Sequence, residues 1–267
     1  MIALSIRTES VAGAFYPGNK SVLLKQLQGL FKSLPKESKS NCVIAPHAGY
    51  IYSGKTAAYS FNALKESKCF VILSPNHSGL GSAISASDAD EWQTPLGKIE
   101  VDSSLRKKLL SGLGIEADDL AHIQEHSIEV QLPFLQFLFK RFKILPITIM
   151  SQDLNELTQI GNALAELKED FSIIASSDFS HFIPAETAKQ RDMQAIEKIK
   201  QLDVEGFHKM VVQRNLSICG HAPITALMQH CRQKGFKQGK LLKYDSSAST
   251  TGDETNVVGY AAIKFEK

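Results

Sequence analysis

Short runs of consecutive apolar residues alternate along this chain with longer stretches in which apolar residues recur every three or four positions. Within 22–31, Leu23, Leu24, Leu27, Leu30 and Phe31 share one face of a helix. Cys42-Val43-Ile44-Ala45 then reads as a buried strand, closed by Pro46. Ala57, Ala58, Phe61 and Leu64 predict the next helix, and Cys69-Phe70-Val71-Ile72-Leu73 a second buried strand closed by Ser74-Pro75. The rhythm continues with strands at 144–149 and 171–175. Helices are predicted at 128–139, 154–167, 186–201, 203–213 and 222–234. Pro133 either sits in the first turn of the 128–139 helix or kinks it. Two β segments, 240–244 and 257–265, finish the chain, and the irregular stretches near 75–100 and 245–256 read as pocket-forming loops.

Strands apolar on both faces, alternating with helices, predict an α/β fold. Its central sheet is mainly parallel or mixed, with helices on both faces. With no repeat, low-complexity tract or long Pro/Gly/Ser-rich linker, residues 1–267 are expected to form one domain. Such sheets take ligands in the crevice beyond the carboxyl ends of their strands, so the chemistry is sought there.

Composition narrows the partners. The 267 residues are 43% hydrophobic and 22% charged, ordinary for a globular core, and the net charge is only +2. No basic cluster points to nucleic acid or an anionic membrane; Arg106-Lys107-Lys108 reads as the solvated face of a helix. No apolar run reaches the length of a membrane span, and the first ten residues lack the pattern of a secretion signal. The four cysteines form no CxxC pair, so a disulfide framework is not expected and the expected compartment is a reducing cytoplasm.

Three predicted strands run into histidines: Pro46-His47-Ala48-Gly49-Tyr50, Pro75-Asn76-His77, and Asp178-Phe179-Ser180-His181. If these strands are parallel neighbours, the three imidazoles share one rim. Neutral imidazole is both a common metal ligand and a general base near neutral pH, and the clustering suits either role. In Glu125-His126-Ser127-Ile128-Glu129, His126 and Glu129 would share a helical face. The spacing is not that of the HExxH zinc motif, and a capping role for Ser127 competes with a pocket role for His126. Cys219-Gly220-His221-Ala222-Pro223 precedes a helix whose first turn accommodates Pro223. A cysteine there has a favoured thiolate, able to bind metal or react. Cys42, Cys69 and Cys231 fit the buried, inert reading, and His122, His208 and His230 read as surface or structural residues. The polar segment from Asp245 to Asp253 either borders the pocket or is a solvated loop.

Seven blocks in order carry a resemblance over nearly the whole chain. They are Ala12-Gly13-Ala14-Phe15-Tyr16-Pro17, Ala45-Pro46-His47-Ala48-Gly49-Tyr50, Pro75-Asn76-His77, Glu125-His126-Ser127-Ile128-Glu129, Ser176-Ser177-Asp178-Phe179-Ser180-His181, Ile218-Cys219-Gly220 and Val257-Val258-Gly259-Tyr260-Ala261-Ala262. With them the chain resembles the Memo family, whose bacterial and archaeal members are called AmmeMemoRadiSam system protein B. That family is similar in fold to class III extradiol dioxygenases, which bind iron(II) with two histidines and a glutamate and open catechol rings with oxygen.

The resemblance implies that His47 and His77 stand at the histidine ligand positions. Cys219 takes the third, where the dioxygenases have glutamate, and His181 stands at their acid–base histidine. The chain departs from the vertebrate pattern at Asn76-His77-Ser78, which lacks a second adjacent histidine, and at Ser180, which replaces a cysteine. A His/His/Cys site favours zinc, iron or copper over magnesium or calcium.

The resulting expectation is a metal-dependent oxidoreductase holding one iron or copper ion on His47, His77 and Cys219. His181 would exchange protons, oriented by Asp178, and His126 would line the pocket. Two other readings stand beside it. One is a metal-holding or peptide-binding module without turnover. The other is a hydrolase, either zinc-dependent or using Cys219 as nucleophile with a histidine base. The family name further implies AMMECR-type and radical SAM partner proteins, with a small molecule or peptide in the pocket.

Overall fold

The computed structural model describes residues 4–267. Its strands and helices follow one another as β1 (Ile6–Arg7), α1 (Lys20–Phe31), β2 (Cys42–Ala45), α2 (Tyr50–Ala63), β3 (Cys69–Pro75), β4 (Ile84–Ala86), β5 (Glu91–Thr94), β6 (Gly97–Glu100) and α3 (Ser103–Leu113). A single 3-10 turn, Glu129–Gln131, leads into α4 (Leu132–Leu138). Then come β7 (Lys143–Ile149), α5 (Leu154–Glu166), β8 (Phe171–Ser176), β9 (His181–Ile183), α6 (Ala185–Lys200), α7 (Val204–Gln213), α8 (His221–Gln233), β10 (Gln238–Ser246), α9 (Ala248–Thr251) and β11 (Val257–Glu266).

The main sheet is mixed, in the order β10-β11-β2-β8-β3-β7-β4, with β9 pairing on β11. Its middle four strands, β2, β8, β3 and β7, are parallel. Strands β4, β10 and β11 join antiparallel at the edges. Alternate residues of the parallel strands feed two cores. Cys42, Ile44, Val71, Leu73, Ile173 and Ala175 face one; Val43, Ala45, Phe70, Ile72 and Ile174 face the other. Both faces are buried, which is why these strands read as unbroken apolar runs.

Side-chain caps set the helix starts, of which periodicity placed that of α5 at Leu154 and missed those of α1 and α7 by one or two residues. Asn19 accepts from the backbone N–H groups of Ser21 and Val22 and starts α1. Asp153 and Asp203 do the same for α5 and α7. The helix expected at 128–139 is instead a 3-10 turn followed by a short α-helix, with Pro133 in the first turn, where its missing N–H costs nothing. The stretch near 75–100 is not simply a loop. Its β4 extends the main sheet, while β5 and β6 join β1 in a separate three-stranded sheet. These strands are too short to show a period. Nor is 245–256 wholly irregular, since β10 reaches Ser246 and α9 follows.

Sequence order and sheet order part company at one place that matters. Strands β2 and β3 are sequential, yet β8 is hydrogen-bonded between them. The chain ends of β2 and β3 therefore flank that of β8, and a crevice opens above it.

Candidate metal centre

His47 lies two residues past β2 and His77 two past β3, while Ser176-Ser177-Asp178 leave β8 between them. His47 is buried and its backbone N–H donates to Asp178 Oδ1 at 2.8 Å. Its Nδ1 lies 2.8 Å from Ser176 Oγ, so β8 holds the histidine that follows β2. His77 is more open, and both its backbone N–H (2.5 Å) and its Nδ1 (3.0 Å) meet the Glu125 carboxylate.

Cys219 arrives from the other side of the crevice. Its Sγ is 3.1 Å from His47 Nε2 and accepts the Asp178 N–H at 3.3 Å. The approach depends on Gly220, the cap of α8. A Cβ there would stand 2.3 Å from the Ser176 carbonyl oxygen and 2.4 Å from Ser177 Cβ. Only glycine lets the start of α8 lie this close to the end of β8.

His47, His77 and Cys219 thus offer one nitrogen or sulfur each within 4.8 Å of one another, a group able to hold a metal ion. His77, Glu125 and His126 form a second such group that shares His77. The ring of His126 lies 5.4 Å from that of His47 and 4.7 Å from that of His77, closing the pocket on the side where Phe15 packs against it.

The electrostatics suit a cation. Burial, reinforced by the neighbouring His126 and His77, holds His47 well below the usual histidine range. Burial also lowers His126, against the pull of Glu125. Burial pushes the Glu125 carboxyl up, but the hydrogen bonds and charge of His77 outweigh it and hold the group below the usual range. Burial raises Asp178 to about 6, opposed by the His47 N–H and by His181. The pocket therefore collects neutral imidazoles and acidic groups.

Several expectations need correction. Burial, followed by the Asp178 charge, pushes the Cys219 thiol well above its ordinary value, so position before a helix does not by itself favour the thiolate. His126 and Glu129 share no helical face. His126 precedes the 3-10 turn, and Glu129 points away to Arg7, the Ser10 and Val11 N–H groups and the Tyr16 hydroxyl. Ser127 does not cap the turn; its hydroxyl donates to the Pro75 carbonyl at 3.3 Å. His181 opens β9 and takes its orientation from Ser217, not Asp178. Its N–H donates to Ser217 Oγ at 2.8 Å, and its Nδ1 is 2.7 Å from the Ser217 carbonyl. Cys42, Cys69 and Cys231 are buried, as are His122 and His230.

Sequence reasoning gave Glu125, Ser176, Gln131 and Arg7 no role. Glu125 stood beside His126 in a quoted block, and an acid flanking a histidine was signal enough. Ser176 and Gln131 carry no such mark. A surface hollow of about 750 Å³ near Lys189, Tyr244 and Asp245 is lined by no histidine or cysteine, so the side-chain chemistry marks the site.

Residues 7–264 match the family described as Memo-like protein. A MEMO1 family protein of Methanosarcina mazei is 44% identical, with 98% of this chain and 100% of the relative covered. Another from Aquifex aeolicus is 40% identical over the same shares. In fold, the chain is similar to an uncharacterized protein of Escherichia coli K12, at a TM-score of 0.51 and 11% identity, covering 98% of this chain and 99% of that one. A full-length match at this level of identity leaves one assignment: the chain belongs to the Memo-like family.

Proposed function

We propose that this chain is a metal-dependent oxidoreductase that holds one iron or copper ion on His47, His77 and Cys219. The observation that carries the reading is the convergence of two imidazoles and one sulfur within 4.8 Å at the switch point of the sheet. That donor set is soft, and thiolate with imidazole favours copper, iron or zinc. Among the described residues, no lysine or arginine donates into the pocket hydrogen bonds of His47, His77 or Cys219, whereas Glu125 and Asp178 both face them. A divalent ion there offsets buried negative charge instead of adding to it.

Bound at these residues, iron or copper would supply one-electron chemistry. The chain's own groups have separate tasks. Cys219 would hold the ion as a thiolate, its proton leaving to solvent, since burial makes the free thiolate costly and a cation offsets that cost. His181, with Nδ1 committed to the Ser217 carbonyl, keeps Nε2 for taking up or releasing a proton. Asp178 pins the His47 loop through the backbone N–H, and His126 with Phe15 walls off the pocket.

The hydrolase reading has one observation in its favour, the 3.1 Å contact of Cys219 Sγ with His47 Nε2. Against it, burial raises the thiol and lowers the imidazole together, so the metal-free pair is neutral and weakly nucleophilic.

Elemental analysis of protein purified without oxygen or chelator, beside His47→Ala and Cys219→Ala, tests the proposal. About one iron or copper per chain, lost in both variants, is expected. Stoichiometric zinc moves the function away from redox chemistry. No metal in folded protein that also fails to reload overturns the proposal.

A further inference from the structure

Counting donors and acceptors behind the two histidines fixes where their protons sit. The Ser176 hydroxyl has one hydrogen and touches three groups. Ser127 O, at 2.7 Å, is a carbonyl and can only accept, so the hydroxyl donates there. The Gln131 amide nitrogen, at 2.8 Å, can only donate. Its identity is fixed because the same nitrogen meets the Pro46 carbonyl at 3.1 Å; the opposite amide orientation would set oxygen against oxygen. With its hydrogen spent on Ser127, Ser176 Oγ can only accept from His47 Nδ1, at 2.8 Å. His47 therefore carries its proton on Nδ1. All of these side chains are buried, so water cannot substitute.

His77 reaches the same state by another route. Its Nδ1 faces the Glu125 carboxylate at 3.0 Å, which accepts only, so that nitrogen also bears hydrogen. Glu125 is itself held by N–H groups from His77 and Ser127.

We propose that Glu125 and the Ser176–Gln131 pair are positioning residues that lock His77 and His47 as Nδ1–H tautomers, so that both Nε2 lone pairs are presented to the pocket before any metal arrives. The two locks differ in kind. A carboxylate behind His77 raises the electron density of that imidazole, whereas a hydroxyl behind His47 orients without adding charge. His77 is then the stronger donor and His47 the more rigid one. The metal-affinity consequence rests on the proposed function above; the tautomers do not.

The test reads the tautomers first. Long-range 1H–15N spectra are recorded on metal-free Cys219→Ala protein, where no thiol biases Nε2. Both rings are expected to show Nδ1 protonated. Adding Ser176→Ala should shift His47 to a mixture or to Nε2–H while His77 stays put, and Ser176→Thr, which keeps the hydroxyl, should restore it. Nε2–H on either ring of the parent, or a His47 tautomer indifferent to Ser176→Ala, overturns the proposal. With Cys219 intact, zinc titrated against a competing chelator should bind about ten- to hundredfold more weakly to Glu125→Gln and to Ser176→Ala. Unchanged zinc affinity in both variants also overturns it. If the parent chain binds no metal while the tautomers appear as stated, the proposed function fails and this inference stands.

Discussion

Glu125 and Glu129 are four residues apart and both almost wholly buried, yet they are satisfied in opposite ways. Glu129 pairs with the Arg7 guanidinium and accepts from Ser10 N–H, Val11 N–H and the Tyr16 hydroxyl. Arg7 also donates to the carbonyls of His122 and Glu125 and lies 4.5 Å over the Trp92 ring, tying β1 and the segment after it to the site loop. Among the described residues no lysine or arginine pairs with Glu125. Its partners are two backbone N–H groups and the ring of His77, with His126 Nδ1 3.5 Å away. One buried charge is cancelled inside the fold and serves structure. The other is held by dipoles and faces the cluster proposed to receive a metal.

The largest expected effect breaks the first half of that contrast. Arg7→Ala leaves the Glu129 carboxylate buried without its cation and should cost about 3–5 kcal/mol of unfolding free energy. Denaturant unfolding checks it, and a loss below about 1 kcal/mol would remove the structural role from Glu129. Next is Gly220→Ala, which touches neither glutamate. Its Cβ must displace the end of β8, so it should cost about 1–3 kcal/mol. It should also carry Cys219 away from His47; calorimetric metal titration beside a melting curve separates the two effects.

Glu125→Gln sharpens the second half. It should cost less than Arg7→Ala, about 1–3 kcal/mol, because hydrogen bonds are disturbed but no counter-ion is stranded. Its pH signature is distinctive. The Glu125 carboxyl is lowered in the folded state. Its contribution is therefore complete above the unfolded value of about 4.3 and is lost as pH falls through that value toward the folded one. Metal-free parent protein should lose stability along this acid limb, and Glu125→Gln should flatten it; melting temperatures across the limb decide. The smallest effect is assigned to Ser127→Ala. It removes only the 3.3 Å bond to the Pro75 carbonyl and should cost about 1 kcal/mol or less with metal affinity intact.

Much of the fold was legible because the parallel strands are apolar on both faces, and unbroken runs such as 42–45 and 69–73 have few other uses. The short strands β4, β5 and β6 were not, since three or four residues carry no period. In the site, His47, His77 and Cys219 were marked by residue type and by the blocks around them. The partner of His181 was misassigned to Asp178 because nearness in sequence stood in for contact; the Ser217 carbonyl comes from the loop before α8.

The amino-acid sequence by itself determined the alternation of elements, the three histidines after strand ends and the family. Each is a local pattern, written in residues adjacent along the chain. Only the tertiary structure decided that β8 is inserted between β2 and β3, that Gly220 brings Cys219 against His47, and that two buried glutamates four residues apart face different chemistry. Those outcomes depend on which distant groups compete for each buried donor and acceptor. That competition is settled by packing and desolvation across the sheet, where order in space replaces order in sequence.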